Sequence, residues 1–198
     1  DAIMAIAFAI ALGIVSVSRL FAPIFWGEDF APCAYILSAL ALSIPFSGFA
    51  NVIRMQYLIP NGMDGAYILS VILGAVSNLT ANSLLIPRCG ALGAAVGTAI
   101  AEGVVCAAQC LAVKKRIDIL AYLKSTAFFG MAGLLMYGAV RVLDQRAEIT
   151  VSWLLLEIVV GGSVYCILSV LYLYHTKNEL LMTALQKLGG AHQNNDRG

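Results

Sequence analysis

The chain has 198 residues, 61% of them hydrophobic and only 12% charged, with a mean hydropathy of +0.88. A soluble domain of this size is roughly 45–50% apolar and about 25% charged, and a single core has no room for the excess; the composition is that of a membrane protein. The 12 Lys and Arg against 11 Asp and Glu leave a formal charge of +1 without a long basic run, which argues against nucleic-acid binding. His175 and His192 lie outside the apolar stretches and the five cysteines show no CxxC spacing, which argues against a metal centre.

The sequence is membrane-grade from Ala2 to Val17, with no basic segment or cleavage site before it. This is not a signal peptide, and a start at Asp1 implies that an upstream part of a longer polypeptide is absent. A bilayer core of about 30 Å takes roughly 20 mostly apolar residues in a helix, and six stretches meet that requirement. The first runs from Ala2 to about Ser18 and on to Phe25 through Pro23, where polar Gly27-Glu28-Asp29 stops it. The second, about Ala31 to Tyr57, has Pro32 in its first turn, and Pro45 frees the carbonyl of Ala41 and predicts a kink. After the turn Pro60-Asn61-Gly62 comes the third, about Ala66 to Ile86. Only Pro87-Arg88-Cys89-Gly90 separates it from the fourth, Ala91 to Val113, so these two form an antiparallel hairpin. Lys114-Lys115-Arg116 ends the fourth. Asp118 suits the N-cap of the fifth, about Ile119 to Leu143, and the charged link Asp144 to Glu148 leads to the sixth, about Val151 to Tyr174. Asn178 can cap a short amphipathic helix carrying Leu180, Leu181, Ala184, Leu185 and Leu188 on one face, and the tail from Ala191 to Gly198 has a disordered composition.

Basic residues near span ends are retained on the cytoplasmic side. One side holds Arg54, Lys114, Lys115, Arg116, Lys124, Lys177, Lys187 and Arg197, the other Arg19, Arg88, Arg141 and Arg146. The C-terminus is therefore predicted to be cytoplasmic, with Arg19 and Arg88 as ordinary anchors at the outer interface.

Polar residues inside the spans point to function. In the third span Ser70, Gly74, Asn78 and Asn82 repeat every four residues, a face that either bonds to a neighbouring helix or lines a wet cavity. The fourth carries Gly93 and Gly97 in a GxxxG with Ala101 continuing the row, which reads as close packing, and beside it Ala94, Thr98 and Glu102. Glu102 lies about 16 Å into its span at 1.5 Å per residue, where an ionised carboxylate costs roughly 2.5–3.5 kcal/mol; it serves transport, or is neutral and bonded to Asn78 or Asn82. Ser43, Ser47 and Asn51 form a row near Pro45, followed by Arg54, which either snorkels to the interface or offers a cation to a phosphate-bearing substrate. Glu157, with Gly161 on the same face, lies one to two turns inside the sixth span and suits pairing or snorkelling. Cys106 and Cys110 share a face but read as packing thiols. No general base, Walker-type loop, carboxylate cluster or cofactor motif is present in the sequence, so the pattern is that of a transporter or anchor and not of an enzyme.

The run Gln56-Tyr57-Leu58-Ile59-Pro60, then Gly74 to Leu79, Asn82, Ile86-Pro87-Arg88-Cys89-Gly90-Ala91-Leu92-Gly93-Ala94-Ala95 and Thr98-Ala99-Ile100-Ala101-Glu102, resembles the second half of bacterial polysaccharide flippases, the Wzx-type O-antigen transporters of the multidrug/oligosaccharidyl-lipid/polysaccharide exporter superfamily. Phe25-Trp26-Gly27-Glu28-Asp29-Phe30-Ala31-Pro32 is similar to a link of that family, and the resemblance covers about Pro23 to Val113. It implies an all-α, fourteen-helix, two-lobed protein of the bacterial inner membrane, of which this chain is the last six transmembrane helices plus a short C-terminal amphipathic helix. Residues 1–113 then correspond to the last four helices of the C-terminal lobe, 114–176 to two additional helices, and 177–198 to the cytoplasmic helix and tail, with the N-terminal lobe as missing partner. Such proteins move undecaprenyl-pyrophosphate-linked oligosaccharide between leaflets, with proton or sodium coupling. The resemblance places Asn78, Asn82, Thr98 and Glu102 in the pathway, to which Asn51, Arg54 and Glu157 are added as candidates, with Gly74, Gly93 and Gly97 for helix packing; Arg54 stands where the family more often has a small residue. Other readings are a drug antiporter or peptidoglycan precursor flippase of the same superfamily, or a truncated, non-transporting membrane scaffold. A membrane glycosyltransferase fits worst, for lack of large loops.

Overall fold

A computed structural model describes residues 2–145 and 147–175, except the side chains of Ser125 and His175. It is all-helical among those residues: α1 (Ala2–Trp26), α2 (Cys33–Ala41), α3 (Ile44–Ile53), α4 (Asp64–Val113), α5 (Ile119–Asp144) and α6 (Val151–His175). The amphipathic helix and tail expected beyond Asn178 lie outside the described residues. Five helical stretches are long and apolar enough to cross a membrane, with α2, α3 and the turn after them counting as one.

Gly27, at φ 99° and ψ 162°, takes a backbone conformation that only glycine adopts cheaply, and it stops α1 before a short 3₁₀ turn, Glu28–Phe30. Pro32 falls one position before α2 begins. The expected single kinked second helix is instead broken at Leu42–Ser43. Pro45 has no N–H for the Ala41 carbonyl, so the chain restarts with Pro45 in the first turn of α3, where a missing donor costs nothing. α3 then widens into a π-helical turn over Arg54–Leu58, seen in the Ile59 N–H donating to Arg54 O at 3.0 Å. Nothing in the residue pattern announces that turn.

α4 contains 50 residues, about 75 Å if straight at 1.5 Å per residue, against a hydrocarbon core of about 30 Å. It is not straight. The helical conformation continues through Pro87, Arg88 and Cys89, where the sequence predicts a link, and only Gly90 leaves it, at φ 56° and ψ −133°. The arms on either side, residues 64–89 and 91–113, fold back on each other. A Cβ at Gly93 would strike the backbone of Leu85 and Ile86, one at Gly97 would strike Asn82 Oδ1, and one at Gly74 would strike Val105. Gln109 Nε2 donates to Ser70 Oγ at 3.1 Å. Every one of these facing positions is centred on Cys89 and Gly90, as an antiparallel hairpin requires.

α1 packs against α2 and α3 on one side and α5 and α6 on the other. Met4, Phe49, Ile53, Leu58 and Val113 form one buried cluster, and Leu12, Ala132, Met136 and Tyr165 another. Three polar ties join these helices: Ser18 Oγ to Ser38 Oγ at 3.0 Å, Tyr165 Oη to the Ala5 carbonyl at 2.7 Å, and Arg19 Nη1 to Asp144 Oδ2 at 2.9 Å. Arg141 Nη1 reaches the same Asp144 oxygen at 3.0 Å. Arg19 is therefore no simple interfacial anchor, and Asp144, expected in an exposed link, is the buried last residue of α5. Asp118 caps α5 as expected, accepting from the Ala121 N–H at 3.3 Å.

Gly93→Ala is expected to destabilise the protein by about 1–3 kcal/mol, the range for forcing atoms into filled space, seen as a lower unfolding midpoint in detergent. Gly103→Ala, whose new methyl meets nothing within 4 Å, should be neutral or stabilising by up to about 1 kcal/mol. Equal effects from the two substitutions would mean that the arms do not meet at Gly93.

Candidate functional site

The α4 hairpin and the end of α3 enclose a cavity of about 560 Å³. α3 and its π turn contribute Ser47, Asn51 and Arg54, the first arm of α4 contributes Tyr67, Gly74, Asn78 and Asn82, and the second arm Thr98, Glu102 and Gln109. Six of the seven residues that the sequence suggests for a pathway thus face one space. The seventh, Glu157, lies elsewhere, in a crevice between α1, α5 and α6.

Arg54 is positioned from three directions. The π turn inserts one residue into the helical progression and re-aims the side chains beyond it; Nη2 of Arg54 donates to Asn51 Oδ1 at 2.8 Å and Nη1 to Tyr67 Oη at 3.4 Å, with the guanidinium carbon 5.4 Å from the Tyr67 ring centroid. Its Nε is buried and has no partner among the described residues. Asn51 and Tyr67 thus hold the guanidinium at the lining of the cavity.

Asn82 and Asn78 bond to each other along one arm, Nδ2 to Oδ1 at 2.9 Å, and Asn82 Oδ1 is left buried and unpartnered among the described residues. That oxygen sits against Gly97, which has no side chain to displace it. The glycine row and the amide row are therefore one arrangement, in which the glycines supply the space that the amides occupy. Thr98 returns its hydroxyl to the Ala94 carbonyl at 3.1 Å. Glu102 is half-buried and makes no hydrogen bond or ion pair among the described residues. The expected alternative of a bond to Asn78 or Asn82 is not found among the described residues. Arg54 and Glu102 are the charged residues of the lining, one of each sign, in a space otherwise furnished with amides and hydroxyls.

Gln109 and Tyr67 also line the cavity, and the sequence pattern does not single them out. Gln109 stands seven residues after Glu102, two helical turns along the same face, and a lone amide in an apolar run is the available signal. Tyr67 precedes Asn78 by three turns, but a tyrosine near a span end reads as an interfacial anchor. Among the described residues no three His, Cys, Asp or Glu gather into a metal site, and the five cysteines are free.

Comparison with protein families and with curated proteins finds no match to this sequence. Among solved structures the fold matches "Lipid II flippase MurJ, inward closed conformation", with a TM-score of 0.74 and 20% identity over 88% of this chain. The match covers 38% of the MurJ chain, so the present chain spans little more than a third of that protein's length. The likeness is one of fold: an all-helical arrangement, with helices long and apolar enough to cross a membrane, shared with part of that chain.

Gln109→Leu is expected to cost about 1 kcal/mol, within the roughly 0.6–1.7 kcal/mol range of helix-to-helix hydrogen bonds in membranes. Glu102→Gln, at a side chain without a partner, should change stability by less than about 0.5 kcal/mol. Unfolding of both variants in detergent checks the contrast, and a larger loss for Glu102→Gln would show that the carboxylate holds the hairpin together.

Proposed function

We infer that this chain is part of a flippase for lipid-linked oligosaccharide, and that the cavity between α3 and the α4 hairpin is its share of the translocation path. The observation that carries this reading is the lining itself. Asn51, Arg54, Asn78, Asn82, Thr98, Glu102 and Gln109 face one space within helices apolar enough to cross a membrane. Polar groups at membrane depth are costly and are kept where a pathway needs them. Amides and hydroxyls suit sugar hydroxyls, a guanidinium suits a pyrophosphate, and a carboxylate suits a coupling proton or sodium ion. The MurJ-like fold supports a carrier of lipid-linked precursors, and the sequence resemblance to the Wzx-type transporters supports an undecaprenyl-pyrophosphate-linked glycan for O-antigen, capsule or exopolysaccharide.

On this reading the two arms of α4 are separate crossings. The chain then supplies six spans of a fourteen-helix protein of the bacterial inner membrane, with its C-terminus in the cytoplasm. Residues 1–113 close the C-terminal lobe and 114–176 form the appended pair. The large apolar side chains left exposed along the first arm, such as Leu69, Ile72 and Val76, face lipid or the remaining helices. The likeness to a lipid II flippase favours a second reading, in which the carried lipid is the peptidoglycan precursor.

The full-length transporter containing this chain is expected to restore surface glycan in a cell lacking its polysaccharide flippase. Restoration of growth in a cell depleted of its lipid II flippase, without restoration of surface glycan, would select the second reading, and rescue of neither would remove both. Glu102→Gln should lower restoration severalfold with the protein level in the membrane unchanged; a proportional fall in that level would make Glu102 a packing residue.

A further inference from the structure

Glu157 takes no part in the cavity or in the ion pairs between α1 and α5. Its side chain is 1% exposed, and neither carboxylate oxygen has a hydrogen-bond partner among the described residues. It lies on the face of α6 that packs on α1 and α5, against a mostly apolar crevice of about 400 Å³. Ser16 and Tyr165 share that crevice, but Ser16 Oγ donates to the Leu12 carbonyl at 2.6 Å and Tyr165 Oη to the Ala5 carbonyl at 2.7 Å, so both hydroxyl hydrogens are in use.

The groups of charge or titration that face Glu157 come from all three helices. α1 offers Arg19 and α5 offers Arg141 and Asp144, whose charges act on Glu157, and α6 itself offers Tyr165 and Cys166 in the same crevice; Tyr137 of α5 stands behind Arg141, which it accepts from. Val140 borders the same crevice, and Asp144 stands one helical turn further along α5. There a single oxygen, Asp144 Oδ2, accepts both Arg19 and Arg141. Two guanidiniums on one carboxylate leave an excess positive charge beside Glu157. With Glu157 ionised the four groups are neutral together, yet no donor touches its oxygens. A sealed carboxylate without a donor is disfavoured far more than the uncharged acid. Two oxygens are too few for a calcium or magnesium ion, which takes six or more hard ligands, and a surface 1% open admits little besides a proton.

We propose that Glu157 is a proton-binding site in the seam between α1, α5 and α6, and that Arg19 is the cation that exchanges with the proton. When Glu157 loses its proton to solvent, Arg19 leaves Asp144 and pairs with the new carboxylate, while Asp144 keeps Arg141; Glu157 goes from neutral to −1, the proton carries the balancing +1 to solvent, and the four groups go from +1 to neutral. Arg19 suits this role because its side chain is 64% exposed. Arg141 is tied down, with Nε donating to Tyr137 Oη at 2.8 Å and the guanidinium 5.1 Å from that ring. The proposal does not rest on the flippase reading, since it concerns a different part of the molecule and its test needs no transport.

The test is infrared spectroscopy of the full chain in lipid nanodiscs across a pH series, following the carbonyl stretch of protonated carboxyl groups. A band that fades as pH rises, absent from Glu157→Gln and present in Glu102→Gln, is the expected result; identical spectra for wild type and Glu157→Gln would overturn the proton site. Arg19→Gln should raise the pH midpoint of that band by about one unit or more, a tenfold change in proton affinity, because the displacing cation is gone. Asp144→Asn should lower it, because both guanidiniums are then free to stabilise the carboxylate. These two variants keep Glu157, so they decide the matter even where Glu157→Gln does not insert. A midpoint that stays in place or moves the same way in both would overturn the exchange with Arg19.

Discussion

A helix of 50 residues, most of them apolar, cannot fit across a bilayer in one pass, and the arrangement of the site depends on how the chain resolves that mismatch at a single residue. Gly90 turns the backbone to φ 56° and ψ −133°, a combination that a side chain would make costly. Because one residue does the turning, the arms return in a fixed register. Residues at equal distances from Cys89 and Gly90 then meet: Ser70 with Gln109, Asn82 with Gly97, Ile86 with Gly93. A longer or polar loop would leave that register to be set by packing alone.

The register explains why small and polar residues alternate as they do. Where the arms touch, glycine brings the backbones together. On the same arms, the spacing of four carries Asn78 and Asn82 onto the lining of the cavity, and Thr98 and Glu102 onto it from the other arm. Arg54 completes the set from a third direction, through two local irregularities in a stretch that would otherwise be one helix: the break that Pro45 imposes and the π turn after it. Both bends relocate side chains without adding length, and this is how a span that fits the membrane still aims a cation inward.

Features that depend on composition or short-range pattern are legible in the sequence. The spans follow from hydropathy, the hairpin from the short interval between two of them, the Pro45 break from a missing donor, and the polar row from its spacing of four. The features that the pattern does not reveal are set by contacts between distant parts. The π turn at Arg54 has no residue signature, since α and π turns differ by one residue of hydrogen-bond register. Asp144 reads as part of a charged link because its partner Arg19 lies on α1, 125 positions away. Glu157 reads as a residue able to reach the interface, and only the packing of α1 and α5 over it shows that it is sealed. Gln109 is apparent only once Ser70 is known to face it.

The molecule therefore holds two polar systems of opposite character. In the cavity, Arg54 and Glu102 are of opposite sign, partly exposed, and separated by amides and hydroxyls that leave room between them. In the seam, Asp144 and Glu157 are buried while Arg19 and Arg141 reach in from the surface, so that one oxygen takes two guanidiniums and the other carboxylate takes nothing. The first is suited to a ligand that brings its own polar groups. The second is suited to none larger than an ion, and any change in its charge must be met by movement of the side chains already there. α1 lies between the two, packed on α3 toward the cavity and on α5 and α6 toward the seam.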